Sequence, residues 1–206
     1  MVKTFMFNDE QFYYFSHNYN RTGVNERIVE IPIMYAMYNK LLQPDVKLLE
    51  VGNVLKHYYP SFSHDVLDKY EKADKVMNVD IVDFKPEKKY DVIISISTLE
   101  HVGFDESGRN AEKFVIALKN IRENVLKENG VMYFTVPFGY NPVVDRLVRE
   151  QTFTKQYYMK RKNAENEWEQ TSYEEIKDCK YGRPFGFASA VVIGVVENTI
   201  KNEILI

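Results

Sequence analysis

An apolar segment ends at Glu50-Val51-Gly52, and acids recur beyond it at spacings suited to a nucleoside. Asp68 lies 18 residues after Glu50, and Asp80-Ile81 begins 12 residues further on. A glycine at a strand end lets backbone approach a ligand, because no Cβ stands between them. Glu50, buried just before it, needs a hydrogen-bonding role. An acid about 20 residues past a first strand can accept both ribose hydroxyls of an adenosine. At Asp80-Ile81, the carboxylate can accept from an adenine amino group while Ile81 packs on the ring. Asp83 is the competing acid three residues on. Ser95 closes the next apolar run, and His101 follows it. An imidazole titrates near neutral pH, which makes His101 the candidate base for a proton on an attacking group. Glu100 and Asp105 are rivals to it or partners that orient it. Each residue alone has a plain reading as a turn glycine, a surface acid or a pocket histidine. Their order and spacing together point to an adenosine-containing cofactor.

Such residues must be carried to one edge of a sheet. Apolar runs at 46–51, 63–67, 75–79, 91–96 and 131–136 are bounded by turn residues and rich in Val, Ile, Leu and Met. Near-continuous runs of this kind suit parallel strands covered on both faces. Between the last two, Phe114, Val115, Leu118, Ile121 and Val125 form the stripe of a helix over about 111–126. Strand, helix, strand is a right-handed crossover unit. Upstream, Ile28, Ile31, Met34, Tyr35, Tyr38 and Leu42 predict a helix over 26–42, capped by Thr22 or Asn25 and bent or shortened by Pro32. Downstream, a helix at 142–150, strands at 156–159 and 188–197, and a short helix at 173–178 suit an antiparallel edge added to the parallel sheet. Residues 1–24 show no clean period, and Tyr13, Tyr14 and Tyr19 serve either as a lid or as packing for this segment. His17, His57 and His64 read as surface or loop residues.

At 206 residues the chain is the length of one domain, with 45% apolar and 28% charged residues. It divides into an N-terminal lid and helix (1–45), a cofactor-binding core (46–140) and a substrate-side excursion with the last strands (141–206). The net charge of −3 and the absence of a dense basic block argue against nucleic acid as the partner. The most basic run, KQYYMKRK at 155–162, reads as a solvated face. The single cysteine, Cys179, excludes an internal disulfide, and no tight His/Asp/Glu cluster marks a metal. No apolar run reaches signal-peptide or membrane-spanning length, so the expectation is a cytoplasmic protein with no membrane partner. Oligomeric state is left open.

The segment 46–140 resembles the class I S-adenosylmethionine-dependent methyltransferases. Leu48-Leu49-Glu50-Val51-Gly52 resembles their first motif, Asp68 stands at their ribose acid, and Asp80-Ile81 at their adenine pair. DVIISISTLEH at 91–101 resembles the fourth strand with its serine and Leu-Glu-His, and GVMYFTVPFG at 130–139 the fifth strand with its proline exit. The resemblance implies an α/β, Rossmann-like three-layer sandwich with a mostly parallel seven-stranded sheet and an antiparallel C-terminal strand, at 190–196. It implies S-adenosylmethionine bound by Glu50, Gly52, Asp68, Asp80, Ile81 and Ser95, with His101 as base. The methyl acceptor would be a hydroxyl or amine of a small molecule or glycan. Asn20-Arg21-Thr22 and the Val-Pro-Phe-Gly exit resemble carbohydrate-modifying members. Two departures stand out: Asn53-Val54-Leu55 replaces the further glycines, and 53–62 is short for a helix before Pro60. A catalytically silent binding protein is the alternative. A dinucleotide-dependent oxidoreductase is disfavoured by the missing Gly-x-Gly-x-x-Gly.

Overall fold

The computed structural model describes residues 2–199. The chain opens with a hairpin, β1 (Thr4–Phe7) and β2 (Glu10–Tyr13), turned through Asn8 and Asp9 at φ 48° and 61°. Asn and Asp tolerate this left-handed geometry better than most residues, and it matches the twist of a two-residue hairpin. A 3₁₀ segment (Tyr19–Val24) leads to α1 (Arg27–Leu41), whose Arg27 N–H is accepted by Asn25 Oδ1 at 3.0 Å. Pro32 lies inside α1 and has no N–H for the Ile28 carbonyl. The Phe15 N–H takes that carbonyl instead, at 3.0 Å, so the helix runs through its proline with the acceptor satisfied.

There follow β3 (Leu48–Val51), α2 (Leu55–Tyr58), β4 (Asp65–Leu67), β5 (Val76–Met77) and β6 (Tyr90–Ile96). A 3₁₀ turn (Leu99–His101) precedes α3 (Lys113–Asn120), which widens into a π turn (Ile121–Val125) before β7 (Leu126–Pro137). The chain continues as α4 (Pro142–Arg149), β8 (Lys155–Arg161), β9 (Trp168–Thr171), α5 (Tyr173–Ile176) and β10 (Ala190–Glu197).

The main sheet has the order β5-β4-β3-β6-β7-β10-β8-β9. β3 to β7 are parallel, and β10 lies antiparallel between β7 and β8. The sheet therefore has eight strands among the described residues, one more than the seven expected. The addition is β9, antiparallel to β8 at the edge. Its sequence, WEQT, carries too little apolar alternation to be read as a strand. It is held by tertiary contacts instead: the Tyr14 hydroxyl accepts the Trp168 N–H (2.7 Å), and Gln170 Oε1 accepts the Asn8 N–H (2.7 Å).

The strand period of two divides the core into layers. Leu49, Val51, Ile93, Met132, Phe134 and Val192 face α3 and α4. Leu48, Val92, Ile94 and Ile96 face α1, while Val191 and Ile193 meet the start of α1 and the hairpin. Gly194 sits opposite Phe134 in the ladder, and a Cβ there would lie 2.2 Å from the Phe134 ring. The ring fills that space, which explains a glycine inside an otherwise Val-rich strand.

Candidate functional site

Because β3, β4, β5 and β6 are parallel, their carboxyl ends open on one edge of the sheet, where α/β sheets bind ligands. A cavity of about 230 Å³ lies there. It gathers Gly52, Asp68, Asp80, Ile81 and His101, five residues separated by up to 49 positions in sequence, over an apolar floor of Val51, Leu67 and Val102. Asp83 is exposed, does not line this cavity, and instead donates its N–H to the Asp80 carbonyl. Of the two acids, Asp80 is the one that lines the cavity.

Gly52 has φ +88°, and its N–H bonds the Leu67 carbonyl at 2.8 Å, tying the ends of β3 and β4 together. Asp68 is already partly engaged. Its Oδ1 accepts the N–H groups of Tyr70 (2.9 Å) and Glu71 (2.8 Å), and Oδ2 accepts that of Asn53 (3.2 Å). Oδ2 keeps capacity for a hydroxyl donor, since a carboxylate offers about four acceptor sites and the two on Oδ1 are filled. Asp80 Oδ2 is bridged by Lys113 (2.6 Å) and Lys69 (2.8 Å), and both lysines also pair with Glu106. Burial pushes the Asp80 carboxyl upward, but the two lysine hydrogen bonds outweigh it and hold the group below the usual range. Among the described residues Oδ1 accepts only the Val82 N–H, at 3.3 Å, and remains the oxygen available to a ligand.

Glu50 and Ser95 do not line this cavity. Glu50 is fully buried beneath the loop: Oε1 accepts the N–H groups of Val54 (3.0 Å) and Leu55 (2.7 Å), and Oε2 meets His64 Nε2 at 2.7 Å. His64 lies in the loop before β4, one of the two places expected for it, but not at the surface: its side chain is 1% exposed and meets the carboxylate of Glu50. Ser95 Oγ donates to the Val51 carbonyl at 2.9 Å, locking β6 to β3. These two residues position the loop from behind. α2 is a single turn, as Pro60 and the short 53–62 segment imply.

His101 lines both this cavity and a second one of about 160 Å³. Its Nδ1 is hydrogen-bonded to Asp105, and the Tyr140 hydroxyl lies 3.2 Å from the same nitrogen. Tyr140 also donates to Asp105 at 2.5 Å. Burial raises the Asp105 carboxyl, but the Tyr140 and His101 hydrogen bonds prevail and keep it ionised. An ionised Asp105 on Nδ1 favours the tautomer with its proton there, leaving Nε2 as the acceptor. Nε2 lies 3.5 Å from Glu100 Oε1.

The second cavity holds Glu100, named above as a rival or partner of His101, and adds residues that periodicity did not reveal: Glu26 and Arg27 from α1 and its approach, Tyr140, Tyr181 and Phe187. The sequence signal is three charges, at 26, 27 and 30, on a segment otherwise buried in the core. Arg27 donates to the carbonyls of Ile96 (2.8 Å) and Ser97 (3.4 Å) and lies 3.5 Å from Glu30. Asn141 caps α4 by accepting the Val143 N–H (3.0 Å), and its amide donates to the Glu100 carbonyl (2.8 Å), so α4 fixes the Leu99–His101 turn. Pro137 at the end of β7, Tyr140 just beyond it and Tyr181 also line this cavity. Tyr19 stacks on His57 with centroids 4.2 Å apart, whereas Tyr14 packs with Phe5 and Trp168. Among the described residues, no group of three or more His, Cys, Asp or Glu is arranged to hold a metal ion, and no helix is long and apolar enough to cross a membrane.

Asp145 in α4 supports the neighbouring turn by accepting the Gly139 N–H at 2.9 Å, and burial pushes its carboxyl up to about 6. The native state then keeps a proton that an unfolded aspartate loses near pH 4. Its contribution is therefore greatest below that pH and falls as pH rises through about 6, by at most about 3 kcal/mol. Asp145→Asn is expected to flatten this slope in urea unfolding followed between pH 4 and 7. An unchanged slope would show that Asp145 titrates normally.

No family model and no curated protein matches the sequence. Solved structures do. The N-methyltransferase NodS of Bradyrhizobium japonicum, in complex with S-adenosylhomocysteine, aligns at TM-score 0.50 and 12% identity over 84% of this chain and 91% of that one. A Burkholderia thailandensis 1,6-didemethyltoxoflavin-N1-methyltransferase aligns at TM-score 0.48 and 13% identity, covering 82% and 77%. An S-adenosylmethionine-dependent methyltransferase of Clostridium acetobutylicum aligns at 0.42 and 13%, covering 81% and 89%. The NodS likeness, extending across most of both chains, shows that this chain has the Rossmann-like fold of class I methyltransferases.

Proposed function

We propose that the chain is an S-adenosylmethionine-dependent methyltransferase acting on a hydroxyl or amine of a small molecule or glycan. The observation that carries this reading is the convergence of Gly52, Asp68, Asp80 and Ile81 on one cavity at the carboxyl ends of four parallel strands. The cavity fits the adenosine half of the cofactor. Ile81, Leu67 and Val102 offer apolar surface to a base, Asp68 Oδ2 has acceptor capacity for a ribose hydroxyl, and Asp80 Oδ1 can accept from an amino group. Once bound, the cofactor supplies an electrophilic sulfonium methyl. The chain's own work is alignment, exclusion of water and handling of one proton. His101, on the border of the two cavities and oriented by Asp105, takes that proton at Nε2 when the acceptor is a hydroxyl.

A binding protein without catalysis is the second reading. It is favoured by the partners that Asp68 and Asp80 already have and by the replacement of the later glycines by Val54 and Leu55. Calorimetry with S-adenosylmethionine, S-adenosylhomocysteine and NAD separates these readings from an oxidoreductase. Absence of heat from both sulfur cofactors at millimolar concentration rules out the first reading. Asp68→Ala is expected to weaken S-adenosylhomocysteine binding by about 1–3 kcal/mol through loss of an acceptor. If affinity is unaltered, the ribose acid lies elsewhere.

A further inference from the structure

The second cavity holds an unusual excess of buried acid. Glu26 and Glu100 line it, Glu30 lies behind Ser97, and Arg27 is the cation among them. Arg27 is already committed to two carbonyls and to Glu30. Glu26 Oε2 accepts the Ala188 N–H at 3.2 Å, and Glu30 Oε1 accepts the Ser97 hydroxyl. Glu100 is different. Its residue is 0% exposed, and neither carboxyl oxygen has a hydrogen-bond partner among the described residues. The His101 ring stands beside it, with Nε2 3.5 Å from Oε1. A buried carboxyl left without donors is costly, and a ligand that brings N–H groups to it removes that cost.

We propose that the second cavity binds the methyl acceptor as an organic ammonium ion, with Glu100 as its counter-carboxylate and proton acceptor. The inference rests on the methyltransferase reading and narrows its acceptor to an amine. An ammonium offers up to three donors and a positive charge, whereas a hydroxyl offers one donor and none. Tyr140, Tyr181 and Phe187 add aromatic surface to the same cavity, and aromatic faces attract cations. The charged and titratable neighbours of Glu100 are Glu26, Arg27 and Glu30 from the α1 side, His101 on its own turn, and Tyr140 and Tyr181 opposite.

Burial, reinforced by Glu30, holds the Glu100 carboxyl well above the ordinary range, which brings its basicity closer to that of an amine. The bound ammonium gives one N–H proton to Glu100. The freed nitrogen lone pair forms the new N–C bond as the methyl–sulfur bond breaks and its electron pair stays on sulfur. The methylated ammonium leaves, and the proton on Glu100 passes to solvent.

The test is calorimetric titration of the full chain, saturated with S-adenosylhomocysteine, using benzylamine and 2-phenylethylamine against benzyl alcohol and 2-phenylethanol. The amines are expected to bind at least about tenfold more tightly than the alcohols. Glu100→Gln is expected to lose about tenfold or more in amine affinity while S-adenosylhomocysteine affinity stays within about twofold. Equal affinity for amines and alcohols, no amine binding, or unaltered amine affinity in Glu100→Gln overturns the assignment. The amine–alcohol comparison is made on the unsubstituted chain, so it stands even where the variant fails to fold. Binding of S-adenosylhomocysteine without amine selectivity sinks the ammonium assignment alone. Failure to bind S-adenosylhomocysteine sinks the cofactor reading and the assignment with it.

Discussion

Glu50→Ala is expected to cost about 3–5 kcal/mol of folding stability, since three partners lose their hydrogen-bonding group at about 1–3 kcal/mol each. The cost has two sources. His64, 1% exposed, loses the carboxylate 2.7 Å from its Nε2 and keeps the Tyr38 hydroxyl at 3.4 Å from Nδ1. The N–H groups of Val54 and Leu55 lose their acceptor at 2.7–3.0 Å, and these donors open α2. For a chain of this size the loss corresponds to a fall in Tm on the order of 10 °C. Glu50→Gln keeps an oxygen for the two N–H groups and places an amide beside His64, so a smaller loss is expected. A Glu50→Ala/His64→Ala cycle measures the pair alone. If Glu50→Ala leaves Tm within a degree or two, the buried carboxylate does not hold the loop. The loop then forms from backbone preference only.

The contrast between Glu50 and Asp68 shows what the sequence could convey about the site. Both are acids at strand ends, and spacing marks both as ligand groups. Spacing does not report which way a side chain points. Glu50 alternates inward with the core, where two backbone donors and His64 claim it, while Asp68 and Asp80 reach the cavity. Five of the seven residues singled out by type and distance do meet in one place, because parallel strands bring their carboxyl ends to a common edge whatever separates them in sequence.

The strands that position those residues were legible as runs of Val, Ile, Leu and Met, since burial on both faces leaves little choice of side chain. Two elements were not. The β1–β2 hairpin has an Asn8-Asp9 turn without glycine, and its apolar alternation is confined to Phe5 and Phe7. β9 is polar at three of its four residues and owes its place to contacts with Tyr14 and Asn8, more than 150 positions away in sequence. The second cavity was hidden for a related reason. The apolar face of α1 dominates its pattern, and Glu26, Arg27 and Glu30 read there as interruptions. Their burial against Ser97 and Glu100 appears only once α1 is laid across β6.

Gly52→Ala is expected to cost roughly 2–5 kcal/mol, combining a left-handed backbone penalty with a steric one. At φ +88° an alanine is strained before any contact is considered. Its Cβ would also lie 2.2 Å from Thr98 Oγ1, 2.7 Å from Cγ2 and 2.8 Å from Cβ. Rotating the threonine relieves the first two contacts but leaves the third, so the Ser97–Thr98 turn must move. That turn connects the two cavities, and its Ser97 N–H is fixed to the Thr135 carbonyl at 2.9 Å. A shift there disturbs the border at which methyl and acceptor would meet. Gly52→Ala is therefore expected to weaken S-adenosylhomocysteine binding as well as stability. Gly52→Ala/Thr98→Ala removes Oγ1 and Cγ2 and is expected to recover part of the steric cost, while the backbone penalty persists. Thermal unfolding and calorimetry on the single and double variants separate the two contributions. Full recovery in the double variant would show that the left-handed geometry costs nothing. No recovery would place the whole cost in the backbone, making Gly52 a residue required by its turn and independent of Thr98.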